Sequence, residues 1–314
     1  MHFLTILLPL VVVAAPALAD PVSVRSCERE IMFEEPPKAA VANDVNMVEM
    51  MLALGLAERM VGYTGVSGWK TLDAELRRGI GELPELSPRY PSREVLVAAG
   101  TDFYFAGWNY GMRVGGEVTP DSLEPFGIAV YELTESCIHV GPRPGISMQD
   151  MYRDLLNLGR IFAIEERAGA LVDSYRSELE ALLASLPPLD QPPAVFVYDS
   201  GEDVPFTAGK YAMPTALIEA AGGRNIMNDL EKSWATVGWE SVVDRDPEII
   251  LIVNYGEVSA GQKQDFLKSH PGLAGIDAVR NDRFVVLEYV EATPGPRNIP
   301  AIAKLAAAFR DGLR

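Results

Sequence analysis

A spacing that occurs twice constrains the fold of this chain more than any other feature. Glu94, in Ser92-Arg93-Glu94-Val95-Leu96-Val97-Ala98-Ala99, stands eight positions before Asp102, and the apolar run 103–106 follows. Glu240, in Trp239-Glu240-Ser241-Val242-Val243, stands eight positions before Glu248, and the apolar run 249–253 follows. Each copy reads as a short amphipathic helix opened by a glutamate, a turn with a second carboxylate, and a strand buried on both faces. One such unit in each half predicts an α/β chain of two lobes with a ligand-sized groove between them. Helix followed by strand is also ordinary in any α/β protein, so the repeat is an expectation that the fold must meet.

The rest of the chain keeps the same alternation. After a short arm, residues 39–42 read as a strand and 46–54 as a helix with Met47, Met50, Met51 and Leu54 on one face; 60–63 resume as a strand. Strands at 103–106 and 129–133 flank a helix near 120–126, and strands at 194–198, 249–253 and 284–287 alternate with helices at 214–221 and 299–309. Such alternation implies parallel sheets, with ligand groups beyond the carboxyl ends of the strands. The character changes at Ser147, where Ser147-x-x-Asp150 resembles a capping box and helical spacing runs on to Pro187-Pro188. Residues 165–186 alone would span roughly 33 Å at 1.5 Å per residue, a length suited to joining two lobes, and Gly159 is the expected break in the run. The organisation is therefore a leader at 1–19, an N-terminal lobe at 20–147, a linking helical segment at 148–188 and a C-terminal lobe at 189–314.

The leader rests on the apolar run 3–15, too short to span a bilayer, and on Ala17-Leu18-Ala19, which has the small-x-small form of a cleavage site; it lacks a basic n-region. Export would give a soluble periplasmic protein, since no cysteine directly follows the site. A formal net charge of −17 makes nucleic acid and anionic membrane surfaces poor partners. In an oxidising compartment the two cysteines, Cys27 and Cys137, are expected to pair, the alternative being two buried free thiols.

Three histidines, one of them in the leader, cannot make a His-rich metal site, so a bare-metal receptor is not expected. Gly209-Lys210 lacks the upstream glycine of a P-loop, Gly111 to Gly116 does not fit the dinucleotide fingerprint, and no Gly-x-Ser-x-Gly elbow is present. Neither a catalytic centre nor a cofactor of the protein's own is indicated. Aromatic residues instead gather in loops after expected strands: Trp69, Trp108 and Tyr110 in the first half, Tyr211, Trp234, Tyr255 and Tyr289 in the second. Tyrosine and tryptophan suit a bulky, partly apolar ligand, and Arg143 and Arg297, in Pro-Gly-rich loops, could meet its carboxylate or hydroxamate oxygens. Ordinary packing is as good a reading as ligand contact for any one aromatic, and a surface role is the plainer reading for either arginine.

Residues 37–65 (PKAAVANDVNMVEMMLALGLAERMVGYTG), 94–108, 220–228 (AAGGRNIMN), 239–256 and Pro294-Gly295-Pro296-Arg297-Asn298 resemble the substrate-binding proteins of iron-chelate ABC importers, a family that includes haem and cobalamin receptors. The resemblance covers nearly the whole exported chain. It implies a class III periplasmic binding protein: two Rossmann-like lobes joined by one long rigid helix, with an Fe(III) chelate such as a ferric siderophore held between them. It also implies that Glu94 and Glu240 dock the single receptor chain onto arginines of a dimeric inner-membrane permease, although each glutamate would also suit the first turn of its own helix. A haem receptor would want an axial donor, for which Tyr63, Tyr110 or Tyr211 would serve, and a cobalamin receptor an aromatic-lined, mostly neutral cleft. From another class, a secreted α/β enzyme would use the same groove.

Overall fold

The computed structural model describes residues 21–68, 70 and 72–311. The leader at 1–19 and Trp69 lie outside the described residues. Where the sequence shows only an arm, β1 (Val22–Ser26) and β2 (Arg29–Phe33) form an antiparallel hairpin. The N-lobe sheet is built from β3 (Ala40–Asn43), β4 (Met60–Thr64), β5 (Glu85–Ser87), β6 (Phe103–Trp108), β7 (Gly111–Met112) and β8 (Ala129–Glu132). Its order is β5-β4-β3-β6, with β7 and β8 both on β6, and every pairing is parallel. In the C-lobe follow β9 (Ala194–Tyr198), β10 (Phe206–Ala208), β11 (Arg224–Asn225), β12 (Trp234–Thr236), β13 (Ile249–Asn254) and β14 (Phe284–Glu288). Here β11-β9-β13-β14 make a parallel sheet, and β10 pairs with β12 in a separate antiparallel ribbon. The fully buried runs of β6 and β9 are what a sheet covered on both faces requires.

The duplicated spacing marks equivalent places in the two lobes. Asp102, just before β6, accepts hydrogen bonds from the backbone N–H groups of Lys38 (2.7 Å) and Ala39 (2.9 Å), and its own N–H donates to the Ala39 carbonyl. Glu248, just before β13, accepts from the N–H of Ala194 at 2.7 Å and donates its own N–H to the Ala194 carbonyl. Each second carboxylate therefore fixes the start of the neighbouring parallel strand, β3 in one lobe and β9 in the other. The first carboxylates do something else: Glu94 and Glu240 stand exposed in the first turns of helices Arg93–Ala98 and Trp239–Arg245.

The linking segment is two helices, and the second is the long helix that joins the lobes. Met148–Ile161 packs on the N-lobe, against β1, and Glu165–Ser185, about 31 Å long at 1.5 Å per residue, crosses to the C-lobe and meets the closing helix Asn298–Asp311. The break falls at Ala163, whose φ of 54° no helix accommodates, and not at Gly159. Gly159 lies within the first helix, and a Cβ there would come within 2.3 Å of the Ala168 side chain, so its missing side chain lets the two helices pack. Cys27, in the hairpin turn, is bonded to Cys137 of the 3-10 helix Thr134–His139. A bridge closing 110 residues restricts the unfolded chain by about 4 to 5 kcal/mol in the chain-entropy model. Among the described residues no helix is long and apolar enough to cross a membrane.

Candidate functional site

The carboxyl ends of both sheets open onto one cleft of about 530 Å³ between the lobes. Four of the expected aromatics meet there: Tyr110 from the N-lobe and Trp234, Tyr255 and Tyr289 from the C-lobe. Tyr110 sits in the tight turn between β6 and β7, closed by reciprocal backbone hydrogen bonds with Gly107 at 2.8 and 2.9 Å and by Asn109 at φ 66°. Tyr255 follows β13 and Tyr289 follows β14, so parallel pairing of these strands brings the two rings to 5.3 Å. Trp234 is presented by the β10–β12 ribbon, where its ring stacks on Phe206 at 5.8 Å.

Polar groups that aromatic content alone does not reveal complete the lining. Tyr90 donates its hydroxyl to the Asn109 carbonyl, the Arg113 guanidinium lies 5.6 Å from the Tyr90 ring centre, and the Asn109 amide nitrogen is 3.2 Å from His139 Nε2. Burial lowers the pKa of His139, so its imidazole is neutral at neutral pH. In the C-lobe, Asp199 at the end of β9 accepts from the Tyr255 hydroxyl at 2.8 Å, and burial raises its carboxyl above the ordinary range. Lys70 is bound to the buried carboxylate of Asp44, which also accepts from the Tyr289 hydroxyl at 2.9 Å. These residues follow strands or strand-end turns, as Asn109 follows β6, Arg113 follows β7 and Asp199 follows β9, so position in the alternation was the signal that could have found them.

Several expected ligand contacts lie elsewhere. Trp108 is buried in the N-lobe core with Leu96 and Met112, and its indole N–H donates to Glu132 at 2.8 Å. Tyr211 and Tyr63 are buried outside the cleft, which removes both as axial donors to a ligand there. Arg143 is ion-paired with Asp150 at 2.7 Å and lines a different cavity, beside the disulfide. Arg297 bridges the lobes: it donates to Glu49 at 2.8 Å and pairs with Asp73, both N-lobe residues. Sequence could not show this, because Glu49 is 248 positions away. What remains is an aromatic cleft of low net charge. Arg113 is its cation without a carboxylate partner among the described residues. Nor do those residues hold any group of three or more His, Cys, Asp or Glu side chains able to bind a metal ion.

The comparisons agree with this architecture. The family model for periplasmic binding proteins matches residues 41–290. A cobalamin-binding protein of Halobacterium salinarum is 25% identical over 292 residues, which cover 90% of this chain and 72% of that protein. Among solved structures, a periplasmic binding protein from Veillonella parvula superposes with a TM-score of 0.79 at 27% identity, over 92% of this chain and 97% of that one. A protein of an ABC-type Fe3+-hydroxamate transport system from Saccharomonospora viridis gives 0.78 at 23% identity, over 93% of this chain and all of that one.

Proposed function

The chain belongs to the periplasmic binding protein family, and from that premise we propose that it is the receptor of an ABC importer, capturing a metal chelate of low net charge between its lobes and delivering it unchanged to an inner-membrane permease. The observation that carries the reading is the charge balance of the cleft. Six aromatic rings line it, Lys70 is neutralised by Asp44, and Arg143 and Arg297 are committed elsewhere. A ferric trihydroxamate, whose ligand charges cancel the metal's, suits such a surface; a trianionic ferric catecholate would need a cluster of cations. In this reading residues 1–19 direct export, and Glu94 and Glu240 dock a single receptor chain onto the permease dimer.

A second reading, haem or a corrinoid, is favoured by one observation. The neutral His139 imidazole faces the cleft and could complete the coordination of an iron or cobalt ion left open by a macrocycle.

Binding of four probes to the purified protein tests both: ferric desferrioxamine B, a ferric tris-catecholate, haemin and cyanocobalamin. The proposal expects one trihydroxamate per chain, at least about tenfold tighter than the catecholate, a difference of about 1.4 kcal/mol, and recovered unaltered. Preference for the catecholate would overturn the charge argument, and chemical conversion of any probe would replace a receptor with an enzyme.

A further inference from the structure

Glu135 belongs to the N-lobe, in the 3-10 helix Thr134–His139, but its carboxylate serves the C-lobe. It is 1% exposed, and its Oε1 accepts the backbone N–H of Met213 at 2.6 Å. Met213 opens the helix Met213–Ala220, whose own N-cap residue, Ala212, has no side chain that can cap it. The first free N–H at that helix start is therefore met by a carboxylate from the other lobe. The second oxygen, Oε2, is buried without a hydrogen-bond partner. Directly beside this contact, the Trp234 indole donates to the Tyr110 hydroxyl across the lobes at 3.2 Å, and both rings line the cleft.

We propose that Glu135 is a positioning residue that takes up a proton as the lobes close, so that the cleft is held shut more firmly in mildly acidic than in alkaline medium. A protonated carboxyl keeps an acceptor for the Met213 N–H and leaves no charge on the unpartnered Oε2. An ionised one leaves an unmatched charge in a buried interface.

Burial raises this carboxyl to about 7 in the closed arrangement, against the lowering effects of the Met213 N–H, Arg143 and Tyr110. The groups facing it are Tyr110 from the β6–β7 turn, Arg143 from the loop that follows its own helix, Asp150 from helix Met148–Ile161, and the backbone N–H of Met213 from the C-lobe. The Arg143 charge is largely taken by Asp150 at 2.7 Å. When the lobes part, water reaches the carboxyl and its pKa returns toward the ordinary value of 4.5. The value is raised on closing, so the closed state is favoured fully below the lower value and loses that advantage as pH rises through the higher one. For one proton moving between 4.5 and about 7, closing weakens roughly 20- to 30-fold from pH 5.5 to pH 8.

The inference does not depend on which chelate is bound, and its test needs none. Hydrogen exchange of the Met213 amide is measured in the ligand-free protein and in Glu135→Gln, a neutral side chain of the same shape that keeps the acceptor. Taking the ratio of the two rates at each pH cancels the intrinsic pH dependence of exchange. It also cancels Asp154, which burial likewise raises to about 7 and which is common to both chains. The expected ratio, unsubstituted over Glu135→Gln, rises roughly 20-fold or more between pH 5.5 and pH 8. A constant ratio would overturn the proposal and leave Glu135 as an ordinary structural cap. Where ferric desferrioxamine B or cyanocobalamin binds, affinity should fall with rising pH in the unsubstituted protein and stay flat in the variant. If neither binds, the chelate reading fails while the exchange ratio still decides this one.

Discussion

Replacing Glu94 and Glu240 together with alanine is expected to abolish chelate uptake while leaving chelate affinity unchanged. Both side chains are exposed on equivalent helices of the two lobes, and neither lines the cleft. Their partner carboxylates Asp102 and Glu248, not they, hold the strands in register. If each lost ion pair with the permease weakens docking about tenfold, the double variant loses roughly 100-fold in transport at limiting receptor. Reversal to arginine should be worse, because like charges would then face each other across the interface. The competing role is local. The Glu94 carboxyl is held below the usual range by its own backbone N–H and by Ser92, as a first-turn acid is, and a residue with only that role would cost some stability and no uptake. Thermal stability, affinity and uptake measured on one double variant separate the two. Normal uptake removes the docking role, and lost affinity moves the pair into the ligand site.

Arg297→Ala should destabilise the protein by about 2 to 4 kcal/mol and shift affinity through lobe closure only. The guanidinium joins Glu49 and Asp73 across the lobes, close to where the Asn46 amide donates to the Pro294 carbonyl at 2.8 Å. Removing one partner of a buried ion pair leaves an uncompensated charge, with costs of about 3 to 5 kcal/mol when burial is complete. Here the side chains are 24% and 10% exposed, which trims the expectation. Burial already raises the Glu49 carboxyl despite the arginine, so losing that cation favours its protonated form. Adding Glu49→Gln to Arg297→Ala should therefore recover part of the loss, as expected when two substitutions share one contact. Calorimetric unfolding of the unsubstituted chain and these two variants checks this. Unchanged stability with lost chelate binding would restore Arg297 to the ligand site.

The elements that could be read from the sequence were those whose signal is local and continuous. The buried runs of β6, β9 and β13 and the methionine face of helix Val45–Ala53 appear within a few residues of their expected bounds, since unbroken apolar character is what a covered parallel sheet demands. The three-residue strands β10 and β12 were beyond reach, because at that length alternation carries no signal, and with them went Phe206. The break at Ala163 has no glycine or proline to announce it. In the cleft, position after a strand holds for Tyr110, Tyr255 and Tyr289; Trp234 instead opens β12, and Trp108 is the last residue of β6 itself and turns into the N-lobe core. Both arginines were misplaced for one reason: an ion pair is made by a distant partner, and no local pattern names it.

The most direct measurement is a titration of the protein's tryptophan emission with ferric desferrioxamine B, haemin and cyanocobalamin, in the unsubstituted chain and in Trp234→Ala and Trp108→Ala. A receptor whose cleft is floored by Trp234 should show saturable quenching at one ligand per chain. Trp234→Ala should then weaken binding by roughly 1 to 3 kcal/mol, as loss of a buried aromatic anchor does. Trp108→Ala, emptying the N-lobe core, should lower thermal stability and leave affinity unchanged. Full affinity in Trp234→Ala together with lost affinity in Trp108→Ala, or no saturable binding of any of the three probes, would contradict the account.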